Sequence, residues 1–468
     1  MNVKLINSYL DSFFNPSSVA VIGASNAPFN LGATICKCLN DYIQYPHPVY
    51  AVNRKGEAVH GCPGYTSVLD IPGSVDLAVI ITPAAVVPHF VKECGEKGIK
   101  SIVIESAGFS EQGEEGGKLQ AEINDAVKKH GIRIMGPNCL GVMDIYARFC
   151  CFYGAYQEIV DVFNKAGGIS YIIQSGGVGV VVLESIMDDI VGLNKMVSIG
   201  NKSDVDEADL IEYFSHDNTT VIALYLENVR DGVKMMEAAR KTLKPVLVFK
   251  SGRTEEGTAA ALSHTAGMAN NDAVFEAACR QAGIIRLKHI SELHSMPKML
   301  TEMPLMAGNR VAVFTNSGAF GSITADLLVP AGLAIPRLND GTRERLARIG
   351  GVFNINNPVD IGPAPPQTYL EIFKVLLEAD EVDGLLLASS IWRDFIIDVM
   401  KELVKMCKQY NKPAAIYTPN SVTRILAARR QHGLPLFESP EEAVRALAVS
   451  YEQFRFRRKK EELYGTDH

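Results

Sequence analysis

Three α/β domains in series, each an open parallel sheet wound by helices, are what this sequence of 468 residues predicts. Three observations carry the prediction. Short β-branched runs alternate with helical stretches, the pattern of βαβ units. Glycine-rich turns follow such runs at Val21-Ile-Gly-Ala-Ser25, Gln174-Ser-Gly-Gly-Val-Gly179 and Asn316-Ser-Gly-Ala-Phe-Gly321. The chain is also too long for one hydrophobic core, since single cores stop growing near ~250 residues.

In order along the chain, the first domain is expected at 1–142. Its strands are the run from Ser18, then Pro48–Val52, Leu77–Thr82, Ser101–Glu105 and Ile132–Met135. Helices over Ala85–Lys97 and Gly117–His130 lie between them, and Gly136-Pro-Asn-Cys-Leu-Gly141 closes the domain. The second, 143–302, starts its sheet at Gly168 and turns into a helix over Val178–Met187. It continues through strands Lys195–Ser198, Val221–Leu226 and Pro245–Lys250. Pro304–Gly308 reads as a linker. The third domain, 303–468, has strands before Asn316 and at Gly384–Ser389 and Pro413–Thr418, and ends in a helix.

Composition excludes several classes. Apolar residues make up 47% of the chain and charged residues 21%, ordinary for a soluble globular protein. A net charge of −7 offers nucleic acid no general attraction. No apolar run reaches the ~18–20 residues of a membrane span, and the N-terminus lacks a signal-peptide core. Nine cysteines form no CxxC pair and no metal-ligand ladder, so reduced thiols, a cytoplasmic location and no bound metal are expected.

In open α/β sheets, ligands sit beyond the carboxyl ends of the strands. Gly23, Ala24 and Ser25 with Gly32 form a phosphate-type turn without the full GxGxxG pattern. A nicotinamide site wants an acidic residue after the second strand. This strand ends in Asn53-Arg-Lys55, which suits phosphates instead. The loops Ile80-Ile-Thr-Pro-Ala84, Glu105-Ser-Ala-Gly-Phe-Ser-Glu111 and Gly136-Pro-Asn-Cys139 close three strands of one domain and define a crevice rim. The turns at Gln174–Gly179 and Asn316–Gly321 are either ready-made anion sites or plain βα turns.

Between Lys250 and Asp272 the chain spends about twenty residues on Gly, Ser, Thr and Ala around one histidine, His264. Core histidine, general base and nucleophile are all open to it. A nucleophilic histidine needs a carboxylate to orient its ring. Glu227 ends the strand preceding the one that leads to His264, so the two meet if those strands are neighbours.

The motifs Val21–Ser25, Gly136-Pro-Asn-Cys139, Gln174-Ser-Gly-Gly177, Tyr225-Leu-Glu227, Lys250-Ser-Gly-Arg253, Ser263-His-Thr265 and Asn357-Pro-Val-Asp360 occur in a specific order. As a set they resemble the alpha subunit of the NDP-forming acyl-CoA synthetases, the ADP-forming acetate–CoA ligases, relatives of succinyl-CoA synthetase. The resemblance covers essentially the whole chain. It implies a Rossmann-like CoA-binding domain followed by two flavodoxin-like domains. It implies a phosphohistidine at His264 with Glu227 as its orienting carboxylate, and a phosphate turn at Ser175, Gly176 and Gly177. Gly23, Ala24, Ser25, Asn53, Lys55, Thr82, Pro83, Ala107, Gly108, Phe109 and Asn138 would bind CoA.

The implied reaction interconverts acyl-CoA, ADP and phosphate with carboxylic acid, CoA and ATP through acyl phosphate. ATP or ADP and Mg²⁺ would bind mainly on a separate ATP-grasp beta subunit, the implied partner in an α2β2 assembly, because nothing after Leu300 resembles a nucleotide lid. The sequence departs from the pattern at two places. Asn30-Leu31 stands where relatives have a basic residue, and Ala266 stands where they have Gly. The aromatic and cysteine-rich loop Tyr146–Gly154 is compatible with a larger or aromatic acid. A non-catalytic CoA-binding regulatory or scaffold protein of the same fold is the alternative, and a nicotinamide-dependent oxidoreductase a third reading.

Overall fold

The computed structural model describes residues 10–153, 159–187, 189, 192–258, 271–362, 364–391 and 393–464. Eighteen described strands form three sheets. The first sheet holds β1 (Val19–Ile22), β2 (Val49–Val52), β3 (Gly64–Tyr65), β4 (Leu77–Ile80), β5 (Ser101–Ile104) and β6 (Arg133–Met135) in the order β3-β2-β1-β4-β5-β6, all parallel. Every residue of β1, β4 and β5 is buried. Continuous apolar runs such as Val-Ala-Val-Ile are what a parallel strand covered on both faces requires. The sheet order reverses between β1 and β4, and the Gly23 turn lies at that switch point.

The second sheet opens with an antiparallel hairpin, β7 (Val142–Asp144) and β8 (Phe149–Cys150). Its parallel strands are β9 (Ala166–Ile173), β10 (Leu193–Ser198), β11 (Val221–Leu226), β12 (Val246–Lys250) and β13 (Ile285–Arg286). The order β13-β12-β11-β9-β10-β7-β8 is a flavodoxin-type winding with β7 added antiparallel to β10. The third sheet, of β14 (Val311–Thr315), β15 (Val359–Asp360), β16 (Gly384–Ala388), β17 (Ala414–Tyr417) and β18 (Leu436–Phe437), repeats that winding as β15-β14-β16-β17-β18. The expected class, one Rossmann-like and two flavodoxin-like domains, is the class observed.

The chain divides into two compact units. The first contains both the first and the second sheet; the second contains Asp189 and everything from Lys288 onward. Within the first unit, the turn after β10 stitches the two sheets together. Val205 N–H donates to Ile134 O at 3.1 Å, Ser203 N–H to Gly136 O at 3.0 Å and Asn201 N–H to Pro137 O at 2.9 Å. Asp204 accepts from the Arg133 side chain at 2.8 Å and from Ile134 N–H at 2.9 Å. Gly200 takes φ +53° here, and a Cβ on it would overlap the Pro137 and Asn138 carbonyl oxygens. That close approach demands glycine.

In the second unit the helix Glu292–Glu302 packs against the helix Pro440–Tyr464, so its residues are part of this unit's core. Asp189 is buried there against His294 Nε2 at 2.9 Å and Lys298 Nζ at 3.0 Å. Burial alone would raise the Asp189 pKa, but the hydrogen bond from His294 and the charge of Lys298 hold it well below the usual carboxylate range. No described helix is long and apolar enough to cross a membrane. All nine cysteines are free and buried.

Candidate active site

A cleft of about 590 Å³ opens at the carboxyl ends of β1, β2 and β4. Gly23, Ser25, Asn53, Lys55, Thr82 and Pro83, six of the residues expected at a CoA site, line it. Gly23 has φ +103°, and any Cβ there would overlap the Ile81 carbonyl. Ala24 is fully buried; its backbone packs against Gly32, the first turn of the following helix. Asn30 caps that helix and the turn together. Its Oδ1 accepts from Ala33 N–H at 2.8 Å and Ser25 N–H at 3.0 Å, and its Nδ2 donates to Gly23 O at 3.0 Å. The departure seen in the sequence therefore has a structural use: the amide holds both sides of the loop.

Asn53 points back into its own loop, where Oδ1 accepts from Lys55 N–H at 3.2 Å and Glu57 N–H at 3.1 Å. Thr82 presents a buried hydroxyl with no hydrogen-bond partner among the described residues, while its N–H donates to Ser106 Oγ at 3.0 Å. An unsatisfied hydroxyl beside a glycine cradle and the exposed cations Arg54 and Lys55 suits a polyphosphate ligand. Arg54, in the basic segment read as suiting phosphates, also lines the cleft, as do Thr66, His89 and Phe90, which the sequence did not single out.

Ala107, Gly108, Phe109 and Asn138 are absent from that lining. Phe109 is fully buried in the core of the first sheet. The N–H groups of Gly108 and Phe109 donate to Glu111 Oε1 at 2.7 and 3.2 Å. Asn201 Nδ2 donates to the other carboxylate oxygen at 2.6 Å, and Asn201 Oδ1 accepts from Asn138 Nδ2 at 3.4 Å. Burial alone would raise the Glu111 pKa; the Gly108 amide and Asn201 outweigh it and hold the carboxylate below its usual value. Adjacent Glu105 is the opposite case. Both carboxyl oxygens are buried without a hydrogen-bond partner among the described residues, and burial, with a smaller contribution from Cys150, pushes its pKa well up.

The second cluster lies at the carboxyl ends of β9, β11 and β12, which are parallel neighbours. Ser175, Gly176 and Gly177 enter the helix Gly176–Met187 directly after β9. Glu227 directly follows β11, whose Tyr225 pairs with Ile173 of β9. Gln174 joins the two turns: its Oε1 accepts Glu227 N–H at 2.8 Å and Asn228 N–H at 3.3 Å. Lys202, fully buried, donates to Glu207 at 3.1 Å and to Asn228 O at 2.7 Å. Its pKa is lowered by burial, against the pull of Glu207. Leu226 pairs with Lys250, the last residue of β12, so the loop carrying His264 departs beside Glu227. His264 and Ala266 lie outside the described residues. The strand adjacency on which the His264–Glu227 pairing depended is present.

The described part of the loop Tyr146–Gly154, up to Tyr153, supplies core more than pocket. Phe149, Cys150, Cys151 and Phe152 are buried, and Phe149–Cys150 is a strand of the second sheet. Its aromatic content therefore gives no support to a larger acid. Among the described residues, no cluster of three or more His, Cys, Asp or Glu side chains could hold a metal ion.

Two family models match the chain: a CoA binding domain over residues 17–144 and a succinyl-CoA ligase like flavodoxin domain over residues 166–300. The acetate–CoA ligase [ADP-forming] II subunit alpha of Pyrococcus furiosus is 38% identical, over 95% of this chain and 98% of its own length. The acetate–CoA ligase [ADP-forming] of Methanocaldococcus jannaschii is 36% identical over 93% of this chain, which spans 62% of that longer protein. The acetyl-coenzyme A synthetase 1 of Ca. Korarchaeum cryptofilum, solved in complex with phosphate and ADP, superposes with a TM-score of 0.88 at 30% identity, covering 98% of this chain and 99% of its own.

Proposed function

The chain belongs to the ADP-forming acyl-CoA synthetases as an alpha subunit, and on that premise we propose that it holds CoA against the first sheet and relays a phosphoryl group through His264. The observation that carries this reading is the convergence of Glu227, the Ser175–Gly177 turn and the start of the His264 loop on three neighbouring strand ends.

In the synthetic direction for ATP, a phosphate oxygen attacks the thioester carbonyl carbon and the CoA thiolate leaves, giving acyl phosphate. A ring nitrogen of His264 then attacks phosphorus, and the carboxylate leaves. The phosphohistidine finally transfers its phosphoryl group to ADP. Glu227 orients the ring so that the attacking nitrogen carries its lone pair. The N–H groups of the Ser175–Gly177 turn, at a helix N-terminus, neutralise charge on the moving phosphoryl group. Such transfer depends on positioning and fixed dipoles more than on covalent machinery.

The cleft residues divide the work of holding CoA. Gly23 lets the backbone approach, Ser25, Thr82 and Pro83 shape the wall, Lys55 supplies positive charge and Asn53 fixes the loop that presents it. Gly108, Phe109 and Asn138 act behind this wall, through the Glu111–Asn201 bridge. The nucleotide and Mg²⁺ are assigned to a separate ATP-grasp beta subunit in an α2β2 assembly. Supporting this are the subunit name of the P. furiosus relative and the additional length of the M. jannaschii chain. A cytoplasmic location fits nine unpaired thiols.

The test is labelling of the chain together with its beta subunit by ATP carrying a radioactive γ-phosphate. Acid-labile, base-stable label on this chain is expected, with its loss in His264→Ala. Absence of label from the intact pair would leave a CoA-binding scaffold as the better account.

A further inference from the structure

We propose that Gln174 is a positioning residue for the phosphoryl relay, acting through Glu227; the inference rests on the reading of Glu227 as the carboxylate that orients His264. Gln174 is buried, and its side-chain amide bonds to the Glu227–Asn228 segment. Its Oε1 takes the N–H of Glu227 at 2.8 Å and of Asn228 at 3.3 Å, and its Nε2 donates to Asn228 Oδ1 at 3.4 Å. Its own N–H donates to Tyr225 O at 3.0 Å. The residue is thus tied to β11 through both main chain and side chain. The next residue, Ser175, opens the phosphate turn.

The same segment is held from the other side. Lys202 Nζ donates to Asn228 O at 2.7 Å, and the Lys202 carbonyl accepts from the Arg230 guanidinium. Lys202 Nζ is itself fixed by Glu207 at 3.1 Å. A carboxylate that must meet a histidine on a separate loop needs a fixed backbone. Gln174 places that anchor at a set distance from the turn that holds the phosphoryl group. A hydrophobic residue of similar size would fill the space and leave two partly buried N–H groups without this acceptor.

The experiment uses the assembled alpha and beta subunits and measures the single-turnover rate of phosphorylation of this chain by ATP. Gln174→Leu is expected to slow it on the order of a hundredfold, the effect of a small misplacement at a reacting centre. CoA affinity, titrated on the same preparation, should stay at the wild-type value. In a Glu227→Gln background, Gln174→Leu should add less than about threefold, since both act through one carboxylate.

Additive losses, or a wild-type rate for Gln174→Leu beside an impaired Glu227→Gln, would overturn the role of Gln174 and leave that of Glu227 standing. A wild-type rate for Glu227→Gln would overturn both. Gln174→Glu gives a second readout should the leucine variant fail to fold. It keeps the acceptor for both N–H groups but sets a like charge beside Glu227, so the acid limb of the pH–rate profile should move up. A profile superimposable on wild type would also remove Gln174 from the relay.

Discussion

The strand ends of the first and second sheets have related topology and are built to opposite rules. At the first, polar side chains are consumed by the loops themselves: Asn30 by Ser25, Ala33 and Gly23, Asn53 by Lys55 and Glu57. Facing the cleft are backbone, the orphan Thr82 hydroxyl, exposed cations and the side chains of Thr66, His89 and Phe90. At the second, buried side chains reach across strands, with Gln174, Lys202 and Glu207 fixing a single segment. The first arrangement makes a cradle whose shape matters more than any one group. The second makes a mount for one carboxylate. On the proposed function, recognition of a large ligand and transfer of a small group place these different demands on similar frames.

Substitutions can break this contrast. The largest effect is expected from Gly23→Ala. The left-handed φ and the overlap with the Ile81 carbonyl should cost about 3 kcal/mol or more of unfolding free energy in urea. CoA affinity should fall with it, while discharge of a pre-formed phosphohistidine by ADP should continue. A slowed discharge would show that the two sites are not separable.

Asn30→Ala comes next, with a loss of about 1 kcal/mol for the missing helix cap. Asn30→Asp sharpens the point. It restores the acceptor for Ser25 and Ala33 and recovers stability, but adds negative charge beside a polyphosphate, so calorimetry should report weaker CoA binding than for the alanine variant. Equal affinity for both variants would mean that the diphosphate lies elsewhere.

The smallest effect belongs to Glu105→Met, at the boundary between the two regions. Glu105 has a folded-state pKa raised above its unfolded value, so the stability it contributes is complete below the unfolded pKa, near ~4.3, and is lost as pH rises through the folded pKa. The methionine variant should therefore gain over wild type by a few degrees of Tm between about pH 5 and pH 8. A constant difference across that range would indicate a carboxyl ionised in both states.

Much of this was legible in the sequence because parallel strands buried on both faces write themselves as apolar runs. Val221–Leu226 is a strand over the residues expected, and Pro245–Lys250 differs by one. The two-residue strands β3, β8, β13, β15 and β18 carry no period and could not be read. Phe149 and Cys150 illustrate the cost: an aromatic loop on paper is a buried edge strand in the fold. Site residues divide in the same way. Gly23 and Ser25 were readable from local turn chemistry. Phe109 and Asn138 were placed by motif position, while their burial and bonding depend on Glu111 and Asn201, which come from different parts of the chain. Gln174 stood inside a quoted motif without a role, because its partner lies 53 residues away.

The turn from Ile199 to Val205 has a practical consequence for anyone recombining these enzymes. It belongs to the second sheet by sequence, yet it completes the rim of the first through Ile134, Gly136 and Pro137. A chimaera cut at the natural-looking seam near residue 142 would separate the imported domain from the seven residues that seal it. The transferable module is discontinuous, and a swap that carries the 199–205 turn along with the first domain keeps the seal intact.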